Sequence, residues 1–464
     1  MNNSPVIVVA GASGYIGKKI VPALLAKFPT AKITALARSA QNSSDPRVEW
    51  KACDLFSPKE IEAALPPSAD LALYLVHSMG PTAQLDQGSF ADYDLLLADN
   101  FGRALQPLSL KQLIYLGGLI PDSAELSLHL RSRLEVEEIF REKNLPTTVF
   151  RAGLILGKGG SSFQILLKLV NRLPLMVCPK WTQTLTTPVD LPSVIEAITT
   201  ASLEPSHINK TYDLAACEPI TYLEMMKQTA QRLGKRRAFV TVPFFTPTLS
   251  RLWVSLITNT PKGLVYPLVE SLEHAMVARP ECAFPLKKNN RTYEELLEHA
   301  SVQTTPGPSL FSFKPQRKTV RSVQRLELPP GKDAAWIKDR YVHWLPRSLA
   351  PLLRVTTAAD TVKFFPFFPS PAFLELNLSR ERSRPDRQLL YIKKGLLVGD
   401  ENRGRLEFRT VLNKRFVLAA IHDFRPALPW AIYRFTQAKL HLFVMRAFGR
   451  DLIRHGVAIQ NQPR

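Results

Sequence analysis

Three regularly spaced glycines follow the first apolar run of the chain. The segment Gly11-Ala-Ser-Gly14-Tyr-Ile-Gly17 comes directly after the run PVIVVA and opens the helical pattern YIGKKIVPALLAKF. Glycines in a turn between a strand and a helix let the backbone approach a pyrophosphate, which the amides of the helix N-terminus then bind. The spacing predicts a dinucleotide site, with a degenerate loop of similar shape as the alternative. The residues of the predicted site are Gly11, Ser13, Gly14, Tyr15, Ile16 and Gly17.

The end of the second strand-like run indicates which dinucleotide would bind. An acidic residue at that point bonds the ribose 2′-hydroxyl of NAD, whereas an arginine accommodates the 2′-phosphate of NADP. This chain has Arg38 and Ser39 there, after KITALA, and no acid. We therefore expect NADP (NADPH) in preference to NAD, with a plain surface role for Arg38 as the alternative. Asp54, after the third strand, can accept a hydrogen bond from the adenine amino group or cap the next helix.

Strand-like and helix-like runs alternate through the first part of the chain. Alternation at this spacing predicts crossover units and a parallel sheet with helices on both faces, a doubly wound Rossmann-type α/β domain. Helices are also expected at 161–172, 191–202 and 221–233. The apolar segment 243–272 could touch a membrane surface or form a lid that packs on the core. Strands are expected at 5–10, 32–38, 48–55, 70–78, 111–119 and 147–157.

The last third of the chain has a different pattern. A stretch rich in Thr, Pro, Ser and Gln at 301–318 predicts a linker between a domain at 1–300 and one at 319–464. Strands at 372–379, 387–398 and 405–412 and one long helix over 429–455 predict an α+β domain with an antiparallel sheet. This order is similar to helix-grip (START-like) folds, which hold hydrophobic ligands between helix and sheet. The expected apolar stripe of the helix is Tyr433, Leu440, Val444, Ala447, Phe448 and Leu452.

The positive charge of the chain is concentrated in that last third. The first 300 residues carry 31 Lys and Arg against 28 Asp and Glu, whereas residues 301–464 carry 29 against 12. This asymmetry predicts an anionic partner or a membrane surface for the second domain, with a solvated basic surface as the alternative. The sequence patterns of RNA-binding, helix-turn-helix and zinc-finger modules are absent, which makes nucleic acid an unfavoured partner.

Composition excludes several classes of protein. Of the 464 residues, 45% are apolar and 22% are charged, which is ordinary for a globular protein and excludes disordered and disulfide-scaffold chains. Neither a long uncharged apolar run nor a secretory signal is evident, so we expect a cytoplasmic protein that is at most peripheral to the membrane. The four cysteines are scattered, which argues against a metal site.

Several strings together resemble a known superfamily. GASGYIG, ALAR, ACDL, YLVHSM and IYLGGL, in this order, are similar to the extended and atypical, NmrA-like branch of the short-chain dehydrogenase/reductases. LSLHLRSRLEVE, FRAGLILGKGGSSF and the C-terminal LELNLSRERSRPDRQLLYI resemble bacterial two-domain NAD(P)-binding proteins that end in a domain of unknown function. The resemblance implies a structural role for Asn100. The cofactor-binding positions that we expect from the resemblance are Gly11, Gly14, Gly17, Arg38, Asp54, Leu55, Val76, His77, Ser78, Arg133 and Gly153.

The catalytic positions depart from the pattern of that superfamily. Its active members use a Tyr-x-x-x-Lys pair and a Ser at the end of the preceding strand, but here the strand ends in Gly117-Gly118 without the Ser. His129 and Arg133 stand at the Tyr and Lys spacing. Arg133 could hold ribose hydroxyls, and His129 could transfer a proton near neutral pH. His77 is a second candidate acid or base.

Three functions are therefore open. The first is an NADP-dependent oxidoreductase that acts on an unidentified hydrophobic or amphiphilic small molecule. The second is a non-catalytic NADPH-binding sensor, regulator or assembly factor, since the usual Ser, Tyr and Lys are missing. The third is an accessory protein that handles a lipid or quinone. The neighbours His422 and Asp423 are not expected to form a pair, because adjacent strand residues point to opposite faces.

Overall fold

The computed structural model describes residues 4–39, 41–78, 85–123, 125–242, 247–258, 262–300, 319–367, 371–399 and 404–460. The chain divides into two compact units. Unit 1 consists of residues 1–81 and 97–311, and unit 2 of residues 82–96 and 312–464. The predicted linker at 301–318 lies outside the described residues. The segment 82–96, expected in the first domain, belongs to unit 2.

Unit 1 begins with β1 (Val6–Ala10), α1 (Gly17–Lys27), β2 (Lys32–Ala37), β3 (Val48–Ala52), α2 (Pro58–Ala64) and β4 (Leu71–Tyr74). The strand β5 (Leu85–Gln87) lies in unit 2, and α3 (Phe90–Leu105) passes from unit 2 into unit 1. Unit 1 continues with β6 (Gln112–Gly118), α4 (Leu128–Glu142), β7 (Thr147–Ala152), β8 (Ile155–Leu156), α5 (Ser161–Arg172), β9 (Leu175–Pro179), β10 (Leu185–Thr186), β11 (Val189–Asp190), α6 (Leu191–Ala201), β12 (Thr211–Leu214), β13 (Ile220–Thr221), α7 (Tyr222–Arg232), β14 (Ala238–Val242), α8 (Pro247–Thr258), α9 (Lys262–Ser271) and α10 (Tyr293–His299).

A parallel sheet forms the centre of unit 1, which confirms the predicted doubly wound α/β fold. Its strand order is β12-β7-β6-β4-β1-β2-β3, and each neighbouring pair runs parallel. The central strands are buried along nearly their whole length because helices cover both faces. The order reverses at β1, so the loops after β1 and β4 diverge there and leave a crevice at the carboxyl edge of the sheet.

The apolar segment 243–272 contributes two helices to unit 1. α8 packs against α5, and α9 packs against α4 and α8. Val254 on α8 and Val265 and Val269 on α9 are buried in the main apolar core. The described part of this segment therefore forms two helices packed on the core. This agrees with the alternative in which the segment is a lid rather than a membrane contact.

Unit 2 continues the chain with β15 (Val320–Glu327), α11 (Ala334–Ser348), β16 (Leu353–Ala358), β17 (Thr361–Pro366), β18 (Leu374–Leu378), β19 (Arg387–Lys394), β20 (Arg405–Val411), β21 (Phe416–Phe424), α12 (Trp430–Phe435) and α13 (Gln437–Gln460). Its strands form one sheet in the order β16-β17-β18-β19-β20-β21-β15-β5. The pairs are antiparallel except for β15 with β5, which confirms the predicted α+β class.

Strand β20 is buried on both faces, including its charged residues. Glu407 and Arg409 alternate with Leu406 and Phe408, yet all four side chains are buried. Arg387 and Arg409 donate to the Glu407 carboxylate, the former at 2.6 Å from Nε to Oε1. Burial alone would raise the pKa of Glu407, but Arg409 and Arg387 outweigh it and hold that pKa well below its usual value.

The predicted long C-terminal helix is confirmed as α13, but the single helix expected over 429–455 is divided, and one residue of its stripe is exposed. The break is at Thr436, whose backbone leaves the helical region (φ −116°, ψ −86°) and whose hydroxyl donates to the Ile432 carbonyl at 2.6 Å. Of the expected stripe, Tyr433, Val444, Phe448 and Leu452 are buried, whereas Leu440 is 54% exposed. The buried face of α13 contains Ala438, Met445, Phe448 and Leu452, spaced as a helical face requires. None of the described helices is long and apolar enough to cross a bilayer.

Candidate functional site

The glycine turn after β1 has a backbone that side chains would disturb. Gly11 has a φ of +86°, and the amide of Gly14 donates to the Gly11 carbonyl at 2.9 Å. A Cβ atom at Gly17 would collide with the carbonyl oxygens of Gly11 and Ala12. The turn therefore needs glycine at both ends, and it holds the start of α1 directly against the end of β1.

The N-terminus of α1 is open to an anionic group. Its N-cap, Ile16, supplies no side-chain hydrogen bond, and the first described turn of α1 contains no acidic residue. The amides of Lys18 and Lys19 donate to the Gly14 and Ile16 carbonyls, so it is the positive end of the helix dipole, with no acid beside it, that favours a ligand such as a pyrophosphate. The glycine turn and the helix end that follows it fit the pyrophosphate of a dinucleotide.

Tyr15 faces the glycine-rich loop that follows β8. Cβ atoms built at Gly157, Gly159 and Gly160 would each meet the Tyr15 ring or hydroxyl. The Tyr15 hydroxyl is buried without a hydrogen-bond partner in the described residues. Burial, reinforced by Asp190, raises the pKa of Tyr15, so its proton stays in place as a donor for a bound group. Ser13, like Ile16, is half-buried in the turn.

The ends of β2 and β3 place their predicted residues at the same edge of the sheet as Gly11. Arg38 and Ser39 are exposed directly after β2. Asp54 accepts the Phe56 amide at 3.0 Å, while the cap of α2 is Ser57, so the capping alternative for Asp54 is not realised.

Loops on the other side of β1 complete this edge. Val76, His77 and Ser78 follow β4, and a Cβ at Gly11 would come within 3.2 Å of the Val76 side chain. Gly153 comes directly after β7. It lies so close to the Thr187 carbonyl that a Cβ atom at this position would overlap the carbonyl oxygen. Because carboxyl ends of parallel strands meet at one edge, the structure brings these loops together with the glycine turn.

Asn100 is a structural residue of this edge. Its Nδ2 donates to the Leu55 carbonyl at 2.8 Å, and both residues are buried. Helix α3 thereby fixes the loop between β3 and α2, where Asp54 lies. This hydrogen bond matches the structural role that the resemblance implied.

His129 lies in a hydroxyl network at the start of α4. Its Nδ1 is 3.0 Å from the Ser271 hydroxyl at the end of α9, and that hydroxyl is also 3.0 Å from Ser127 Oγ. Ser127 is the N-cap of α4 and accepts the Leu130 amide at 3.3 Å. The Ser271 hydroxyl donates to the Pro267 carbonyl at 2.9 Å.

These contacts bear on the tautomer of His129. A serine hydroxyl has one proton, and when Ser271 donates it to the Pro267 carbonyl, 2.9 Å away, its oxygen accepts from the imidazole. This arrangement favours the tautomer of His129 with the proton on Nδ1 and the lone pair on Nε2. Burial, together with nearby Arg133 and His77, lowers the pKa of His129 well below its usual value. His129 is a neutral base.

Arg133 lies one turn after His129 on α4 and is buried. The stem of its side chain is 3.7 Å from a Cβ built at Gly118, so it lies beside the end of β6. The predicted pair of His129 and Arg133 therefore occupies one face of α4 near the strand end, while His77, the other candidate, is exposed on its loop.

A buried ion pair fixes α4 on the sheet. Arg151 on β7 donates to both carboxylate oxygens of Glu137 at 2.9 and 2.7 Å, and both side chains are buried. Two parallel bonds between planar groups define the rotation of the helix. The pair thereby sets where α4 presents His129.

Sequence reasoning missed Ser127 and Ser271. The cap position of Ser127 before the helix LHLRSRLE was a usable indication. Nothing local could have indicated Ser271, which is 142 residues from His129 and reaches it through the packing of α9 on α4.

Unit 2 contains a groove at one edge of its sheet. A cavity of about 540 Å³ is lined by Pro346, Leu353, Arg354, Val355, Thr356 and Phe365. The layer between the sheet and α11 and α13, where a helix-grip fold would hold its ligand, contains packed apolar side chains such as Phe408 and Phe448. As predicted, His422 and Asp423 have separate partners: His422 lies 3.3 Å from Glu407, and Asp423 accepts from Arg405 at 2.8 Å.

Comparison with solved structures shows the fold of unit 1. The chain is similar to the Citrobacter sp. triphenylmethane reductase complexed with NADP(H), with 18% identity and a TM-score of 0.50 over 64% of this chain and 99% of that one. Unit 1 therefore shares the fold of this reductase. A nucleoside-diphosphate-sugar epimerase from Staphylococcus aureus is similar over 63% of this chain and 99% of its own, with 11% identity and a TM-score of 0.50.

Sequence comparison finds a shorter match. The chain is 32% identical over 116 residues to the auxiliary protein GraX of Staphylococcus aureus (strain NCTC 8325 / PS 47). The match covers 25% of this chain and about a third, 36%, of the length of that relative. No family model matches the chain.

Proposed function

We propose that unit 1 binds NADP(H) at the carboxyl edge of its parallel sheet and catalyses hydride transfer to or from a hydrophobic small molecule. The observation that carries the proposal is the glycine turn between β1 and the open N-terminus of α1. Exposed Arg38 after β2 supports binding of a 2′-phosphate, since no acid occupies that position. The reductase of the same fold, complexed with NADP(H), supports the cofactor class.

The chain's own residues have separate tasks in this mechanism. Amides at the start of α1 would hold the pyrophosphate of the cofactor. Arg38 would bind its 2′-phosphate, and Arg133 would bind its nicotinamide ribose. The bound nicotinamide supplies the hydride chemistry. His129 presents Nε2 as a neutral base, which accepts the proton of a substrate hydroxyl as its carbon is oxidised and returns it in the reverse direction. Ser271 holds the ring in that tautomer.

A titration of the purified protein with NADPH and NADH tests this proposal. Arg38→Ala is expected to weaken NADPH binding about 10- to 100-fold, the loss for hydrogen bonds to a charged group, and to leave NADH binding unchanged. Lys32→Ala is the matched control, because Lys32 is exposed at the opposite end of the same strand. Equal affinity of Arg38→Ala and wild type for NADPH would overturn the assignment of the 2′-phosphate site.

A non-catalytic NADPH sensor is the second candidate. It is favoured by the end of β6, where Gly117 and Gly118 stand in place of a serine, and by α4, where His129 and Arg133 stand in place of the Tyr and Lys. A quinone and aldehyde screen that follows nicotinamide absorbance separates the two. An enzyme should lose turnover in His129→Gln and keep NADPH affinity, whereas a sensor should show no turnover in either protein.

A further inference from the structure

Four large apolar side chains are exposed together on α12 and the first two turns of α13. Ile432, Phe435 and Phe443 are 51%, 65% and 59% exposed, and Leu440 is exposed beside them. Leu440 and Phe443 are three residues apart on α13, so they share a helix face. We call these four residues the apolar cluster. An exposed cluster of this kind marks a surface that meets a partner or a bilayer.

Basic residues surround the apolar cluster. Lys439 lies 5.5 Å and Arg434 5.9 Å from the centre of the Phe435 ring. Arg446, Arg450 and Arg454 continue the exposed face of α13. The one acid between residues 429 and 460, Asp451, is paired with Arg340 at 3.0 Å. The face therefore has an uncompensated positive charge.

This combination fits one class of partner best. A second copy of the same face would bring its basic residues against each other, which is repulsive. Nucleic acid would leave Ile432 and Leu440 in water, since it offers no medium for aliphatic side chains. An anionic bilayer surface satisfies both features, because headgroups pair with Lys and Arg while Phe, Leu and Ile enter the acyl boundary.

We propose that α12 and the N-terminal half of α13 form an interfacial docking face for anionic phospholipid membranes. Phe435 and Phe443 insert below the headgroups, and Arg434, Lys439 and Arg446 bind phosphates. The break at Thr436 lets the two helices present one cluster from two segments. The proposal is independent of cofactor binding in unit 1.

Flotation of the full-length protein with phosphatidylcholine vesicles, with and without phosphatidylglycerol, tests it. We expect binding only where phosphatidylglycerol is present, weakened by salt. Phe435→Ser/Phe443→Ser should reduce binding more than tenfold. Lys439→Gln/Arg446→Gln should reduce it about fivefold for each charge removed. Leu352→Ser and Lys393→Gln serve as controls, because they make the same kinds of change at exposed residues elsewhere in unit 2, and they should leave binding unchanged.

A second readout reports insertion directly. Tryptophan fluorescence of Phe443→Trp, with wild type as the background, should shift to shorter wavelength on vesicles that contain phosphatidylglycerol. Failure of the wild type to float with these vesicles would overturn the proposal, even if the face bound an acidic protein. Equal binding by Phe435→Ser/Phe443→Ser and wild type would overturn it too.

Discussion

His129 shows how a residue identified by spacing obtains its chemistry from tertiary contacts. The spacing to Arg133 indicated where an acid or base would stand. The protonation state depends on Ser271 and on burial beside Arg133 and His77, which the local sequence does not contain. The glycine turn, by contrast, could be predicted, because positive φ at Gly11 and close approach at Gly17 are properties of the chain at that point.

The tautomer of His129 can be tested without a substrate. In ¹⁵N-histidine NMR, with His129→Gln to assign the resonance, His129 should show a protonated Nδ1 and stay neutral as the pH falls below 6.5, the ordinary value. Ser271→Ala should lose the tautomer preference, because the acceptor for Nδ1–H is removed. Wild-type His129 that titrates at its ordinary pKa or is protonated at Nε2 would contradict the mechanism.

Elements whose apolar periodicity and end residues lie within their own segment agree with prediction. Elements that depend on packing against distant parts of the chain do not. The helices 161–172, 191–202 and 221–233 match α5, α6 and α7 to within about a residue, because their periodicity and caps are local. The break of the C-terminal helix at Thr436 had no such indication. Strand β20 is another case, since its buried charges depend on Arg387 from a neighbouring strand.

The position of α4 is expected to depend on its buried ion pair. Glu137→Ala leaves Arg151 buried and unpaired, so the free energy of unfolding in urea should fall by about 3–5 kcal/mol. Glu224→Ala removes an exposed pair with Lys227 and should change it by less than about 1 kcal/mol. A loss for Glu137→Ala no larger than this control would contradict the role of the pair.

For the whole molecule, the sequence showed that basic residues are concentrated in the last third, but it did not show what those residues do. The basic excess of the last third includes buried Arg409 and the exposed row on α13 alike. Counting charges cannot separate a buried network from a docking face, since exposure depends on the register of the sheet and the break at Thr436. The same limit applies to the segment 82–96, whose strand joins the sheet of unit 2.

Part of the acid sensitivity of the molecule should come from His441, a half-buried histidine of unit 2. Burial lowers the pKa of His441, whose Nε2 lies 3.2 Å from the Ser322 hydroxyl, from 6.5 to about 4. The unfolded chain binds this proton first, so the folded state loses stability as the pH falls from 6.5 to 4, by at most about 3 kcal/mol.

Thermal unfolding across that pH range measures this contribution. His441→Gln should reduce the dependence, with His129 and His422, whose pKa values burial also lowers, keeping the remainder. His343→Gln, at an exposed site on α11, should leave it unchanged. An identical pH dependence for His441→Gln and wild type would show that His441 does not carry the acid sensitivity.

Calorimetric titration with NADPH of the wild type, Gly14→Asn and Gly14→Asp tests whether the glycine turn after β1 binds a dinucleotide. Gly14 is exposed in the turn, and Asn and Asp differ there only in charge. We expect one NADPH per wild-type chain and at least about tenfold weaker binding by Gly14→Asp than by Gly14→Asn, because the carboxylate occupies the phosphate position at the N-terminus of α1. No binding by the wild type, or equal binding by the two variants, would contradict a dinucleotide site at this turn.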